Sequence, residues 1–127
     1  MISYIKGKVI GSREEDRYRN VDVVTSKGVG YRIITQSSVK VAKECELFTS
    51  MQVREDSQSL YGFATSTDRD FFELLLTVSG VGPKLAMSVL SIYPVETVQT
   101  LILKKDAENL SKVPGLGKKG SQKIIVE

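Results

Sequence analysis

The 127-residue chain has no histidine, no tryptophan and a single cysteine, Cys45. One cysteine cannot form a disulfide within the chain, and a zinc site normally needs histidines or several cysteines. Histidine is also the commonest general base in enzymes and the usual partner of a catalytic nucleophile. These absences predict a protein that holds no metal or other cofactor and is not an enzyme by itself.

The chain also lacks a long apolar run, and its first six residues do not have the pattern of a signal peptide. With the single cysteine, this predicts a cytoplasmic protein. The net charge of +3 is only mildly basic. It fits a nucleic-acid binder whose cations are concentrated on one face, but does not establish one.

One seven-residue pattern occurs twice. Residues 78–84 and 113–119 both read V-x-G-h-G-x-K, where h is apolar, and the second copy lies 35 positions after the first. Apolar residues outside the pattern keep the same offset: Leu75 with Leu110, Val89 with Ile124 and Leu90 with Ile125. A repeat of this length indicates one supersecondary unit used twice.

Each copy has the composition of a helix-hairpin-helix motif. Its glycines let the backbone turn sharply, and the apolar residue between them should pack between the two helices. Pro83 suits the first position of the second helix, where its missing N–H costs nothing. The first amides of that helix then form an anion site that binds phosphate and ignores base sequence. The residues predicted to bind DNA are Gly80, Gly82, Lys84, Gly115, Gly117, Lys118 and Lys119.

Other interpretations of these glycines are weaker. A single G-h-G is often only a helical turn, and helix-hairpin-helix folds also serve as protein–protein scaffolds. Two copies with lysine at the same place favour nucleic acid. Residues 115–120 also fit G-x-G-x-x-G, but that dinucleotide fingerprint needs a preceding strand, and here a helical segment precedes it. The segment is not a P-loop, because no lysine lies between Gly120 and Ser121.

The periodicity of the chain changes near residue 64. Before it, alternating apolar residues and glycine turns predict five or six short strands. We expect a small closed barrel of the OB type, since closure leaves no exposed strand edge. Beyond it the apolar period is helical. The predicted fold class is α+β: residues 1–64 form an OB-fold barrel and residues 65–127 an all-α domain with tandem helix-hairpin-helix motifs.

Five helices are expected in the second domain. Thr67-x-x-Asp70 resembles the start signal of the first. The predicted helices lie at about 68–77, 83–91, 95–103, 106–110 and 118–126. The residues expected in their core are Leu74, Leu75, Val78, Leu85, Val89, Leu90, Val98, Leu101, Ile102, Leu110, Val113, Ile124 and Ile125.

A charged turn joins two predicted strands at residues 53–58. It places two carboxylates, Glu55 and Asp56, side by side. A solvated hairpin tip explains them, since Asp and Ser are ordinary turn residues. Paired carboxylates also bind Mg²⁺ in nucleases, although this usually needs further carboxylates from other strands. A second charged stretch, residues 13–19, is also expected at a hairpin tip and has no assigned role.

Several motifs, taken in order, carry a family resemblance. They are G-V-G-Y at 28–31, V-R-E-D-S-Q-S-L-Y-G-F at 53–63, S-G-V-G-P-K-L-A at 79–86 and V-P-G-L-G-K-K at 113–119. Together they resemble the RuvA family of bacterial Holliday-junction-binding proteins over the whole chain. The combination is highly specific, although each motif alone is not.

The resemblance implies a tetramer, built through the barrels, that holds a four-way junction open on a basic face. Glu55 and Asp56 would be its acidic pin at the tetramer centre, and Arg54 beside them a phosphate contact. The two hairpins would grip the backbones of the arms, whatever their sequence. The implied partners are the ATP-driven motor RuvB, which migrates the junction in recombination and repair, and the resolvase RuvC.

The sequence departs from the family in two places. Family members continue into a third domain that binds the motor, whereas this sequence ends at Glu127, so we expect junction binding with little stimulation of the motor. Gly120 falls in the last helix, where glycine costs about 0.5–1 kcal/mol relative to alanine. Two other functions remain open: a monomeric module that binds duplex or single strands and delivers a repair partner, and a metal nuclease using Glu55 and Asp56.

Overall fold

The structure is a computed structural model that describes residues 1–15, 18–36 and 40–126. Within these residues it has strands β1 (Tyr4–Glu14), β2 (Arg19–Val24), β3 (Gly30–Thr35), β4 (Glu44–Val53) and β5 (Gln58–Phe63), followed by helices α1 (Ser66–Leu75), α2 (Pro83–Ile92), α3 (Val95–Leu103), α4 (Ala107–Leu110) and α5 (Gly117–Val126). The predicted α+β class is confirmed.

Contacts divide the chain into two compact units, Met1–Arg69 and Asp70–Glu127. The tip expected within residues 13–19 lies partly outside the described residues.

The five strands close into a barrel in the order β1-β2-β3-β5-β4. The long strand β1 pairs with two neighbours, with β4 through residues 4–8 and with β2 through residues 8–14. A bulge between Val9 and Gly11 separates the two pairings, and a bulge bends and twists its strand. The remaining gap is closed by parallel pairing of β3 with β5. The prediction of an OB-type barrel is therefore confirmed.

Alternate residues of the strands fill the barrel. Six side chains form its core, each at most 4% exposed: Ile5, Val9, Val21, Val23, Ile33 and Leu47. Each such burial contributes about 1.5–3 kcal/mol. Gly62 lets β5 come close to this core, because a Cβ there would lie 2.7 Å from Cγ2 of Ile33.

Helix α1 begins two residues earlier than predicted, because a different threonine caps it. The N–H of Asp68 donates to Oγ1 of Thr65 at 3.1 Å, so the capping pair is Thr65 and Asp68. One residue later, Arg69 donates from Nη1 to the carbonyl of Ser3 at 2.8 Å. Its guanidinium also lies 5.8 Å from the centre of the Phe48 ring. These contacts hold the first turn of α1 against the barrel.

The helical unit buries most of the residues predicted for its core. Those buried are Leu75, Val78, Val89, Val98, Leu101, Leu110, Val113 and Ile124, and those half-buried are Leu85, Leu90, Ile102 and Ile125. The prediction for Leu74 is wrong, since it is 59% exposed. The buried face of α1 is formed instead by Phe71, Phe72 and Leu75, and Leu74 lies beside that face.

No single helix in the described residues is long and apolar enough to cross a membrane. Helices α2 and α3 reach that length and composition only as a pair, and this pair is bent by 95°.

Helix α3 ends with a lysine in a conformation that usually belongs to glycine. The N–H of Lys105 donates to the carbonyl of Ile102 at 3.0 Å, and the N–H of Asp106 donates to that of Leu101 at 2.9 Å. These two bonds define a Schellman motif, whose left-handed position favours glycine. Lys105 occupies that position with φ of 54°. Its Cβ therefore strains the end of the helix.

We expect Lys105→Gly to raise the free energy of unfolding of the helical unit by about 0.5–1 kcal/mol. Glycine removes the steric cost of positive φ, and its greater freedom in the unfolded chain offsets part of the gain. Urea unfolding followed by circular dichroism measures the change. Lys105→Ala is the control, because it removes the same charge and keeps the Cβ. Equal stabilisation by alanine would mean that charge, rather than φ, limits stability here.

Candidate nucleic-acid interface

The two G-h-G segments are tight turns between helices, with the same backbone hydrogen bonds. In the first turn the amides of Val78 and Val81 each donate to the carbonyl three residues earlier, both at 3.1 Å. In the second turn the amides of Val113 and Leu116 do the same, again at 3.1 Å. The repeat in the sequence is therefore also a repeat in hydrogen bonding.

Both turns also bury equivalent side chains. The apolar residue between the glycines is 7% exposed for Val81 and 5% exposed for Leu116, as expected of a side chain packed between two helices. The equivalent buried pairs around them are Leu75 and Leu110, Val78 and Val113, Ala86 and Ser121, and Val89 and Ile124. In the last helix the hydroxyl of Ser121 is satisfied by donating to the carbonyl of Gly117 at 2.7 Å. Packing of these buried side chains between the helices holds each turn in place, and the main chain of the turn lies on the side away from them.

The first glycine of each turn is needed for its backbone conformation. Gly80 and Gly115 have φ of 85° and 87°, in the left-handed region that other residues rarely adopt. Both are exposed. The main chain itself is therefore exposed at both places, because neither residue has a side chain of its own.

The second glycines differ between the copies. Gly82 is extended, with φ of −91° and ψ of 176°, because a following proline excludes the helical region for the residue before it. Gly117 precedes a lysine, Lys118, and has φ of 65°. Helix α5 starts at Gly117, whereas α2 starts at Pro83 and has Gly82 as its N-cap.

The N-terminus of α2 has backbone donors that the chain does not cap. Gly82 has no side chain to accept from them, and Pro83 at the first position has no N–H. The first helical bond runs from the amide of Ala86 to the carbonyl of Gly82 at 3.0 Å. The amides of Lys84 and Leu85 precede that bond and have no acceptor within the helix. Such a helix start favours an anion, through its free N–H groups and the helix dipole.

The three lysines predicted from the motif, Lys84, Lys118 and Lys119, are exposed. Among the residues that the structure describes, none of them is in an ion pair; the ion pairs found all lie on the barrel. Their charges are available to a ligand beside the turns. The assignment of these lysines and of the four glycines as DNA contacts stays a prediction.

A fourth lysine, which the motif did not single out, lies at the first turn. Lys123 belongs to α5 in the second repeat, yet its Nζ lies 3.9 Å from the position that a Cβ on Gly80 would take. The 35-position offset pairs Lys123 with Ser88, so comparing the two repeats does not predict that Lys123 lies at the first turn. At the second turn, the neighbouring side chain from the other repeat is apolar. Cδ1 of Leu85 on α2 lies 3.6 Å from the position that a Cβ on Gly115 would take.

The acidic turn on the barrel is a short hairpin tip. Arg54 and Ser57 bracket it, with the amide of Arg54 donating to the carbonyl of Ser57 at 2.7 Å and the reverse bond at 3.4 Å. Glu55 and Asp56 are the two residues between them, and both are exposed. Among the described residues, no hydrogen bond or ion pair engages either carboxylate. The turn therefore projects two uncompensated acids, which fits the pin and the solvated turn equally.

Arg54 lies at the base of this tip, near a buried tyrosine, Tyr61. Burial raises the pKa of Tyr61, and the nearby positive charge of Arg54 opposes that rise. Arg54 itself is exposed. Its position leaves the guanidinium able to reach a ligand at the tip, and its role as a phosphate contact stays a prediction.

No site for a metal is formed by the described residues, since no three Asp, Glu or Cys side chains converge there. Mg²⁺ takes six oxygen ligands in octahedral geometry, some of them water. Glu55 and Asp56 alone, at an exposed tip, do not build the convergent carboxylate set of a metal nuclease.

The two units match two known families. Residues 1–62 match the family described as RuvA N terminal domain, and residues 72–127 match the SAM-like helix-hairpin-helix tandem. A relative from Thermodesulfovibrio yellowstonii is 38% identical over 133 residues, which cover 100% of this chain and 66% of that protein. One from Nocardia farcinica is 42% identical over 131 residues, covering 100% and 63%.

Both relatives are named Holliday junction branch migration complex subunit RuvA. A third of the same name, from Acetivibrio thermocellus, is 42% identical over 134 residues, or 100% of this chain and 63% of its own. The chain belongs to the RuvA family. This confirms the resemblance found in the motifs. The chain spans 63–66% of the length of these three RuvA relatives.

We expect Gly115→Ala to weaken DNA binding about tenfold, equivalent to about 1.4 kcal/mol, because a Cβ at φ of 87° strains the turn and displaces its amides. Fluorescence anisotropy with labelled DNA measures the affinity. Gly28→Ala is the matched control: Gly28 has φ of 84° in the β2–β3 turn, where an added Cβ meets nothing within 4 Å. Gly28→Ala should lower the free energy of unfolding by a similar amount and leave the affinity for DNA unchanged. Equal affinities for the two variants would place the second turn outside the interface.

Proposed function

We propose that the protein binds four-way junction DNA, recognising its structure rather than its base sequence. In this proposal it is the non-catalytic DNA-binding subunit of a branch-migration complex in recombination and repair. The observation that carries the proposal is the duplicated turn: both copies expose glycine backbone beside unpaired lysines in a chain of the RuvA family. A backbone grip of this kind contacts phosphate and carries no sequence information.

Two turns in one unit support binding along a DNA arm. Each offers main-chain amides, and the lysines add charge without fixing a base. Hydrogen bonds from amides to a charged acceptor are shorter and stronger than those between neutral groups. Contact at two places would fix the direction of the arm on the protein, which one turn alone would not do.

Junction specificity requires several copies of the chain, and the barrel has surface suited to assembly. Five apolar side chains of the barrel unit are 44–61% exposed: Tyr4, Ile10, Val29, Val41 and Val53. These side chains are available to contact other copies of the chain. We propose that the unit Met1–Arg69 builds a homotetramer and that Asp70–Glu127 holds the arms.

The acids at the β4–β5 tip would then act by repulsion. In a fourfold assembly the four tips come together at one axis, so Glu55 and Asp56 meet the phosphates of any duplex that crosses the centre. Like charges close together cost free energy, which disfavours a continuous duplex and favours strands that separate. Arg54 at the base of the tip would hold a phosphate of a diverted strand.

The energy for branch migration would come from a partner. We propose that an ATP-driven motor, RuvB, supplies it and that RuvC resolves the held junction. The three RuvA relatives carry the words branch migration complex subunit in their names. The proposed location is the cytoplasm.

A gel-shift comparison of a four-way junction with linear duplex of equal length tests the proposal. The junction should bind at least about tenfold more tightly, because only the junction engages all four subunits at once. Sedimentation should give the mass of a tetramer. A monomer with equal affinity for both DNAs would instead support a general duplex- or single-strand-binding module.

The double variant Glu55→Gln with Asp56→Asn should bind linear duplex more tightly and discriminate less between duplex and junction. It removes the repulsion at the tip and keeps the size of both side chains. The control is Glu44→Gln with Glu46→Gln, which removes two charges from the start of β4, at the opposite end of that strand from the tip. If the first variant leaves the preference for junction over duplex unchanged, or if both variants change it equally, Glu55 and Asp56 are residues of an ordinary solvated turn.

A further inference from the structure

The two turns are unequal in charge. Residues 70–103, which include the first turn, have one lysine, Lys84, and three acidic residues, Asp70, Glu73 and Glu96. Residues 104–123, which include the second turn, have six lysines and only two acidic residues, Asp106 and Glu108. Where the second turn has Lys118, the first has Pro83, which has neither a charge nor an N–H. By itself the first turn would hold a phosphate with one cation, Lys84.

Lys123 lies where that missing cation is needed. Its Nζ is 3.9 Å from the Cβ position of Gly80, next to the exposed left-handed glycine of the first turn. The absence of a Cβ on Gly80 leaves the space in front of the main chain open to the ammonium group. Lys123 is exposed, so a ligand at the turn can reach it.

The position of Lys123 on α5 also links the two turns. Lys119 and Lys123 are four residues apart, and residues with this spacing lie on the same helix face, about 5–6 Å apart at Cβ. Lys119 belongs to the second turn by its place in the motif. One exposed face of α5 therefore carries a cation for each turn.

We infer that Lys123 binds the phosphate held by the first turn, so that both turns use a lysine of the second repeat. This inference rests on the proposed function and assigns Lys123 to a site formed otherwise by Gly80, Gly82 and Lys84. The first turn is consequently incomplete within its own repeat. The ligand is a phosphate of the nucleic-acid backbone, bound by amides and two ammonium groups.

Duplex affinity measured across a series of salt concentrations tests the inference. Lys123→Gln should lower the slope of log affinity against log salt by about 0.9, the value for one phosphate that the protein no longer neutralises. Lys123→Arg should retain most of the slope, because it keeps the charge. Lys104→Gln is the matched control, since it removes one lysine of the same unit that does not lie in either turn. Circular dichroism and thermal unfolding establish that every variant is folded.

Double variants identify the turn that Lys123 serves. If Lys84 and Lys123 share one phosphate, removing both should weaken binding by less than the product of the two separate effects, because neighbouring residues are not additive. Lys123→Gln combined with Lys118→Gln should give the product of the separate effects, because Lys118 belongs to the second turn and is not on the helix face that Lys119 and Lys123 share. Coupling of Lys123 to Lys118 rather than to Lys84 would overturn the inference.

The single variants separate failure of the inference from failure of the function. If Lys84→Gln and Lys119→Gln weaken binding while Lys123→Gln changes neither affinity nor slope, the inference is wrong and the proposed function stands. If none of the three weakens binding, the turns do not hold DNA and the proposed function fails as well.

Discussion

The candidate nucleic-acid interface depends on a backbone constraint: two glycines held at φ of 85° and 87°. This conformation reverses the chain in so few residues that a buried Val81 or Leu116 can occupy the inside of the turn. Main chain and the start of the next helix then occupy the outside. The helix start has amides with no acceptor, and an anion satisfies them better than water does. Packing, turn and ligand site therefore follow from one local geometry.

In the proposed function, sequence-independent binding is a direct consequence of that geometry. Amides and ammonium groups recognise the charge and shape of phosphate, which is the same at every base. Discrimination between nucleic-acid structures must then come from how several grips are arranged. In the proposed assembly the arrangement comes from the barrel, and its acidic tip adds repulsion where a continuous helix would pass.

Features set by neighbouring residues could be predicted from the sequence, and features set by tertiary packing could not. The glycine turns, the start of α2 at Pro83 and the buried residues between the glycines depend on a few adjacent residues, and the sequence predicted them. The start of α1 was displaced by two residues because Thr65 and Thr67 carry similar capping signals. Leu74 fits the helical period but lies beside the buried face. Lys123 reaches Gly80 only through the packing of α5 near the first turn, which no motif encodes.

The unequal second glycines have a consequence for how the two copies of the motif can change over time. Gly117 is held at φ of 65°, so folding of the chain itself opposes its replacement. Gly82 has an extended backbone that any residue can adopt, so its φ does not require glycine. In the proposed function, a side chain at position 82 would stand between the turn and the phosphate that docks there. The glycine at this place in the motif would then serve backbone conformation in one copy and close approach of a ligand in the other.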